Sequence, residues 1–584
     1  MRLIISMLVA VAVSCSIGIT SLAADEGKKP PITTASPFKP VLGEKGMVVS
    51  QEKYASMAGR DVLKAGGNAV DAAVATGFAL AVTHPQAGNI GGGGFMLVYL
   101  AAEKRTIALD YREMAPAAAH KDLFLDADGN VDSQRALFSA MSSGVPGTVM
   151  GLLEAHSRYG RLSRAEVMAP AIRLAAEGFP MTWALHDALI RYEDRMKADA
   201  ASSHYFYKAD GSLYQPGELF VQKDLATTLK RIARKGANGF YKGTTADHLV
   251  AAMQAGGGII THADLAAYRV RERTPVSGTY DEYQVVSMPP PSSGGIHIIQ
   301  MLNILEDYDL KEMGHNSADY IHLLAESMKR AYADRSKFLG DPDFIDVPVD
   351  VLTSKSYAAA LRGSINTGKA TASADILPGA AMPKESRDTT HFSVMDSEGN
   401  AVSNTYTVNL IFGSGKSVAG AGFLLNNEMD DFSSKPGVPN VFGLVGGAAN
   451  AIEAGKRPLS SMTPTLVLKD GIPVIASGSP GGSTIITATF QTVLNILEFD
   501  MNPAEATAMP RIHHQWLPDN LFFEPGISID TIRLLKARGQ PISGKPFWSG
   551  NHTLGKTQTI VRRPDGLFAG AADPRGPGSY AAAY

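Results

Sequence analysis

TTHFSVMDSEGNAVSNTYTVNLIFG, residues 389–413, holds two alternating runs around a cluster of turn formers. Thr389 to Met395 and Ala401 to Leu410 flank Asp396 to Asn400, which predicts a β-hairpin. A period of two puts Thr389, His391 and Ser393 on one face of the first strand. It also puts Thr405, Thr407 and Asn409 on one face of the second. Two readings of this polar face stand side by side: the solvated side of an antiparallel sheet, or a site. A threonine hydroxyl is a weak nucleophile, but at a chain terminus its own α-amine can take the proton. That amine titrates at about 7.7–8.0 when unperturbed, which suits general base work near neutrality. Thr389 lies inside the chain, so this chemistry requires a cut between Asp388 and Thr389.

Outward from this hairpin the pattern is mixed helix and strand. Ala-rich Val70 to Val82 predicts a buried helix, followed by a turn region from His84 to Gly94 and a strand from Phe95 to Leu100. Residues 318 to 338 have apolar residues at helical spacing with Lys329, Arg330 and Asp334 on another face, the pattern of an amphipathic helix. Gly363 to Asp388 turns to Ala, Thr, Ser, Pro and Gly, which predicts an exposed loop with a reachable bond at its end. Thr465 to Leu468 and Pro473 to Ser477 predict a second hairpin, and Thr484 to Leu497 a helix. Between them GSPGGS, from Gly478, sets Gly481 and Gly482 at a strand-to-helix turn. Unpaired N–H groups there favour negative charge. A phosphate cradle is disfavoured, because the run lacks the lysine and the glycine spacing of such motifs. Close backbone packing is the expected role of Gly91 to Gly94.

Composition narrows the class. The chain has 584 residues, 45% hydrophobic and 19% charged, enough for a large core. Its net charge of -3 offers no basic surplus for nucleic acid or anionic lipid. Arg2, the apolar run from Leu3 and the small residues Ser21 and Ala23 read as a secretory signal peptide over residues 1–23, with an uncleaved membrane anchor over Leu3 to Thr20 as the alternative. The single cysteine, Cys15, falls inside it, so the remainder has no disulfide. Export to the periplasm or beyond is expected, with no stable membrane association once the signal is removed.

Residues 389–413 resemble the signature of the γ-glutamyltranspeptidases (glutathione hydrolases), which are N-terminal nucleophile hydrolases. Thr389, His391, Ser393, Gly399, Asn400, Val402, Thr405, Thr407, Asn409 and Gly413 fall where that signature asks. LDYREMAP around Arg112, SGVPGT from Ser143, PPPSSGG from Pro289, NNEMDDF from Asn426, KRPLSSMTPT from Lys456, GSPGGS and PRIHHQW from Pro510 follow in the same order. The likeness runs from about residue 45 to the C-terminus.

The resemblance implies an α/β fold of the four-layer αββα type, built from a large subunit (24–388) and a small catalytic subunit (389–584). Thr389 is then the nucleophile for both self-cleavage and catalysis, with Thr407 positioning it. Gly481 and Gly482 form the oxyanion hole. Arg112, Ser460 and Ser461 take the α-carboxylate of a glutamyl group, while Glu428, Asp431 and Asn409 take its ammonium. Pro436 to Ala451 resembles a lid, in which Phe442 stands where several relatives have tyrosine, so packing alone is expected to hold it. Glutathione and other γ-glutamyl compounds are the implied donors, with water, amino acids or dipeptides as acceptors. No cofactor is implied. A metal at Glu428, Asp430 and Asp431 is disfavoured for want of a ligand spacing, and His513 and His514 alternate in direction on a strand. A glutaryl or cephalosporin-type acylase is the alternative within the fold. An uncut chain acting as a binding protein is the alternative outside it.

Overall fold

The computed structural model describes residues 36–376, 389–435, 438, 447–542 and 553–584. The predicted signal peptide, Asp388 and Phe442 lie outside them. Residues 38–584 form one unit. Two seven-stranded antiparallel sheets organise it. One runs Tyr580–Ala583, Gly46–Ser50, Thr390–Asp396, Ala401–Thr407, Gly93–Leu100, Arg105–Tyr111, Arg271–Arg273. The other runs Val41–Gly43, Phe568–Ala572, Gln558–Arg562, Ile472–Ser477, Thr465–Lys469, Tyr283–Ser287, Val276–Tyr280. Each sheet contains strands from before and from after residue 389, hydrogen-bonded to one another, so separating the two parts would break both.

Alternation along the strands builds three apolar layers. Val48, Val98, Phe392, Val394 and Tyr406 point outward onto a helical layer that includes Ala69–Thr83 and Thr148–Tyr159. Met47, Phe95, Met395, Leu466 and Ile560 point inward and meet between the sheets. Val285, Val467 and Ile475 face the helices Gly294–Leu305, Ala318–Phe338 and Thr484–Phe499 on the far side. The order is helix, sheet, sheet, helix, the expected αββα sandwich. Helix Ala69–Thr83 starts at a capping box between Asn68 and Asp71, and all its residues are buried.

The hairpin forms as predicted, with His391 opposite Thr405 and Ser393 opposite Ser403. Of the two readings of its polar face, the solvated one fails, because every residue of both strands is buried. That face looks across at the second sheet. Ser393 Oγ donates to Gln558 O at 2.9 Å and Ser403 Oγ to Ser477 O at 3.1 Å. Asn409 does not continue the alternation: the strand ends at Thr407, and Asn409 takes φ of 75°. The glycine run packs tightly, since a Cβ on Gly92 would lie 2.0 Å from Thr407 O.

One prediction based on polarity needs correction, whereas most of the described residues of the predicted exposed loop, 363–376, are exposed. Helix Ala318–Phe338 is no solvated amphipathic helix, as Glu326, Lys329, Arg330 and Asp334 are all buried. Glu326 pairs with Lys329 and, at 2.7 Å, with Arg330, so the charges compensate one another. Their remaining donors hold the segment predicted as an exposed loop. Lys329 Nζ donates to Thr371 O at 2.6 Å, and Arg330 Nε to Ser364 Oγ at 2.9 Å. Ser373 donates its N–H and hydroxyl to Asp519, and Trp516 Nε1 donates to Ser373 O at 2.8 Å. Residues 364–376 are therefore tied down as far as Ser373; residues 377–388 lie outside the description.

Burial alone would raise the Asp519 carboxyl, but bonds from His514 and Ser373 outweigh it and hold it at about 2, below the ordinary 3.8. A depressed carboxyl contributes stability that is present above 3.8 and lost as pH falls through about 2. Asp519→Asn is expected to lower the urea midpoint at pH 7, with the gap to wild type narrowing between pH 4 and pH 2. A gap constant over that window would refute the assignment.

Candidate active site

Thr389 precedes the first strand of the hairpin and is buried, with 6% of its surface exposed. Its hydroxyl lies 3.5 Å from Thr407 Oγ1, a weak contact at this distance. Thr407 Oγ1 is fixed by the Asn409 N–H at 2.8 Å. Among the described residues no titratable side chain hydrogen-bonds to the Thr389 hydroxyl. His391, two residues on, is held away by Thr405 Oγ1 at 2.8 Å and Ser393 Oγ at 3.0 Å. Burial pushes its imidazole down to about 3, so it remains neutral.

The Gly481–Gly482 turn joins strand Ile472–Ser477 to helix Thr484–Phe499. Their φ values of 134° and 58° belong to the left-handed region that favours glycine. Both carbonyls are used, accepting from Thr484 N–H at 3.1 Å and Ile485 N–H at 3.2 Å. Among the described residues, neither glycine N–H has an acceptor. Two free donors at a helix N-terminus suit a developing oxyanion. A Cβ on Gly481 would meet Thr484 Oγ1 at 2.4 Å, on a backbone already strained for any side chain. Gly481→Ala is expected to lower kcat by about 10²- to 10³-fold, the usual cost of one oxyanion donor, with smaller change in KM. An unchanged kcat would remove the turn from the mechanism.

A charged cluster closes the other end. Arg112, 1% exposed, bonds to both Glu428 and Asp431, and Glu113 carries a further oxygen 3.5 Å away. Arg112 and the two carboxylates, expected to take opposite ends of an amino acid, thus hold one another here. One guanidinium cannot offset three buried carboxyls. Burial, and then mutual repulsion against the pull of Arg112, raises Glu428 well above its ordinary value. Burial likewise raises Asp431 and pushes Glu113 to about 7. All three carboxyls are thus displaced upward together, burial being the first cause in each.

Thr389, Thr407, Asn409, Gly482, Arg112, Glu428, Asp431, Ser460 and Ser461 line one cavity of about 20 Å3, room for about one water. Gly481 faces a neighbouring cavity. Arg335 also lines the small cavity, donating to Ser461 Oγ at 3.3 Å and Ser293 Oγ at 3.0 Å. Sequence reading missed Arg335 and Glu113: one lay in the helix read as amphipathic, the other beside Arg112 in a quoted segment. Two acceptors in this region, Asn409 Oδ1 and Glu428 Oε2, are buried without hydrogen-bond partners among the described residues. Unpaired acceptors beside a guanidinium are what a compact zwitterion would satisfy.

Against known proteins, the profile of the family described as Gamma-glutamyltranspeptidase matches residues 55–583. The chain is 52% identical over 547 residues to the glutathione hydrolase proenzyme of Escherichia coli K12, covering 94% of this chain and 93% of that one. Among solved structures, a cephalosporin acylase from Bacillus halodurans aligns with a TM-score of 0.83 at 29% identity, covering 96% of this chain and 99% of its own. A γ-glutamyltranspeptidase from Helicobacter pylori aligns with a TM-score of 0.56 at 45% identity, covering 60% of this chain and 97% of its own.

Proposed function

This chain belongs to the gamma-glutamyltranspeptidase family, and from that premise we propose how its own residues cut the chain and move a γ-glutamyl group. It is a self-processing glutathione hydrolase and γ-glutamyltransferase. In the precursor the Thr389 hydroxyl attacks the carbonyl of Asp388, the acyl group moves from nitrogen to oxygen, and water hydrolyses the ester. Thr389 then carries a free α-amine, the base that its surroundings otherwise lack. In turnover the hydroxyl attacks the γ-amide carbonyl, with the Gly481 and Gly482 N–H groups meeting the negative oxygen. The amine passes its proton to the leaving nitrogen, and water or an acceptor amine later releases the glutamyl ester.

The single observation that carries this reading is the shared cavity, where the candidate nucleophile, an oxyanion glycine and the polar cluster converge. In our reading the substrate carboxylate takes Arg112, assisted by Arg335, Ser460 and Ser461. Its ammonium takes Asn409, Glu428 and Asp431, and supplies a second positive charge beside these carboxyls. The large (24–388) and small (389–584) fragments remain together as a heterodimer, since both sheets need both. Amino acids and dipeptides are the acceptors, and a signal peptide directs the enzyme to the periplasm. Among the described residues no helix is long and apolar enough to cross a membrane.

The B. halodurans neighbour, named as a cephalosporin acylase, keeps a second reading in view. A glutaryl side chain has no α-amine and would leave Asn409 Oδ1 and Glu428 Oε2 without a donor, a heavy cost in a buried site. Mass spectrometry of the purified protein, with release of nitroaniline from γ-glutamyl and glutaryl anilides with and without glycylglycine, tests both readings. We expect two fragments, the smaller starting at Thr389, and a strong preference for the γ-glutamyl anilide. A persistently uncut chain would overturn the enzyme reading, and a preference for the glutaryl anilide would favour the acylase.

A further inference from the structure

The Gly481–Gly482 turn leads straight into helix Thr484–Phe499, with Ser483 at the N-cap position. A serine there ordinarily turns its hydroxyl back to accept from backbone N–H groups of the first turn. Ser483 makes no such bond. It lines the small cavity with Gly482 and Thr389, and its hydroxyl donates instead to Gln515 Oε1 at 2.7 Å. A capping oxygen would set its lone pairs at the helix N-terminus, beside the point where negative charge develops. Turned away, it leaves the positive end of the helix dipole to the reaction.

A buried chain of neutral groups from the PRIHHQW segment holds the hydroxyl in that direction. Gln515 Nε2 donates to Leu517 O at 3.2 Å, which orients the amide and aims Oε1 at Ser483. The same Oε1 lies 2.9 Å from His513 Nε2. An amide oxygen only accepts, so His513 carries its proton on Nε2, and its Nδ1 accepts from Thr487 Oγ1 at 2.9 Å. Burial pushes the His513 imidazole down to about 3, so this neutral form persists. The chain thus grips the helix at Ser483 and again at Thr487, one turn on. Tyr332, on helix Ala318–Phe338, adds a third hold: its hydroxyl donates to Ser483 O at 2.5 Å, and its ring meets His513 edge-on at 5.8 Å. Ser483, His513 and Gln515 are at most 2% exposed, so bulk water does not compete for these bonds.

We propose that Ser483 and Gln515 are positioning residues for the oxyanion turn. Gly482 has no side chain to fix its own peptide, and the bond made by the next residue supplies that fixation. It aims the glycine N–H groups at the substrate carbonyl and keeps the Ser483 oxygen from competing for the helix N-terminus. The proposal rests on the oxyanion reading of the turn. In the proposed binding mode the amino-acid end of the substrate is held elsewhere, at Arg112, Glu428 and Asp431. Losing the Ser483–Gln515 bond therefore weakens the transition state and leaves ground-state binding in place.

The self-cleaved enzyme is tested with γ-glutamyl-p-nitroanilide as substrate and with two inhibitors. One is the glutamate analogue with a boronic acid in place of the γ-carboxyl. The Thr389 oxygen adds to its boron, a B–O bond forms, and the hydroxyl proton passes to the Thr389 α-amine; the boron becomes tetrahedral and anionic, with an oxygen at the turn. The other is norvaline, which keeps the amino-acid end and has no oxygen to place there. The ratio of the two inhibition constants does not depend on the folded fraction. Gln515→Leu is expected to weaken the boronate relative to norvaline about ten-fold, the scale of one buried hydrogen bond, and to lower kcat similarly with little change in KM. Ser483→Ala removes the same bond from its other end and should give the same shift. Gln515→Glu keeps an acceptor and should retain most of the wild-type ratio. A wild-type ratio in Gln515→Leu or in Ser483→Ala overturns the proposal and leaves the proposed function standing. If the wild-type enzyme binds the boronate no better than norvaline, the oxyanion reading itself fails.

Discussion

Thr389→Ala is expected to leave the chain uncut and turnover at least about 10⁴-fold below wild type, as when other hydrolases lose their nucleophile. Cleavage and catalysis fall together because in the proposed mechanism one hydroxyl serves both. The neighbouring hydroxyl of Thr390 offers no substitute, since alternation points it to the opposite side of the sheet, where it is buried without a partner among the described residues. Nor does His391 supply another route, as its ring is neutral and engaged with Thr405 and Ser393. Thr389→Ser keeps a hydroxyl and a terminal amine and should still cut, more slowly. Denaturing gels and intact mass read the first outcome, and anilide hydrolysis the second. Two fragments from Thr389→Ala, with the small one beginning at residue 389, would place the cutting nucleophile elsewhere.

Arg112→Met has the second largest expected effect, and it strikes stability as well as binding. The guanidinium is the shared partner of Glu428 and Asp431 and lies 3.5 Å from Glu113, all within the protein interior. Removing one partner from a buried charge cluster costs about 3–5 kcal/mol, because the other charges lose their compensation. The carboxyls can limit that loss by taking protons, so the cost depends on pH. Their folded-state values rise further once Arg112 is gone, and a raised carboxyl forfeits stability as pH climbs through its folded value. The variant should therefore lie nearest wild type near pH 5 and furthest near pH 8 by urea denaturation. Adding Glu428→Gln should recover part of the loss at the higher pH. If Arg112→Met were as stable as wild type at pH 8, the cluster would not be held together by this charge.

The hairpin was legible because a period of two and the Asp396–Asn400 turn depend only on local backbone geometry. The same holds for the helices Ala69–Thr83 and Thr484–Phe499, whose apolar runs allow no other burial. What local pattern misjudged was where polar groups go. Lys329 and Arg330 read as solvent-facing because charges seldom enter cores alone, and nothing local announces that Glu326, Thr371 and Ser364 will meet them. Arg335 escaped notice for the same reason, since its partners Ser293 and Ser461 are far away in sequence.

By itself, the sequence determined the strand and helix pattern and the family and singled out Thr389 as the candidate nucleophile, since these rest on residue order and near-neighbour spacing. Only the tertiary structure decided that the polar face of residues 389–407 looks across to a second sheet and not into water. Alternation specifies which residues share a side, while the packing of a second sheet decides what that side meets. Tertiary structure also set Arg112 against Glu428 and Asp431, more than 300 residues away. Electrostatic compensation in a low-dielectric interior depends on distance through space, which residue order does not encode.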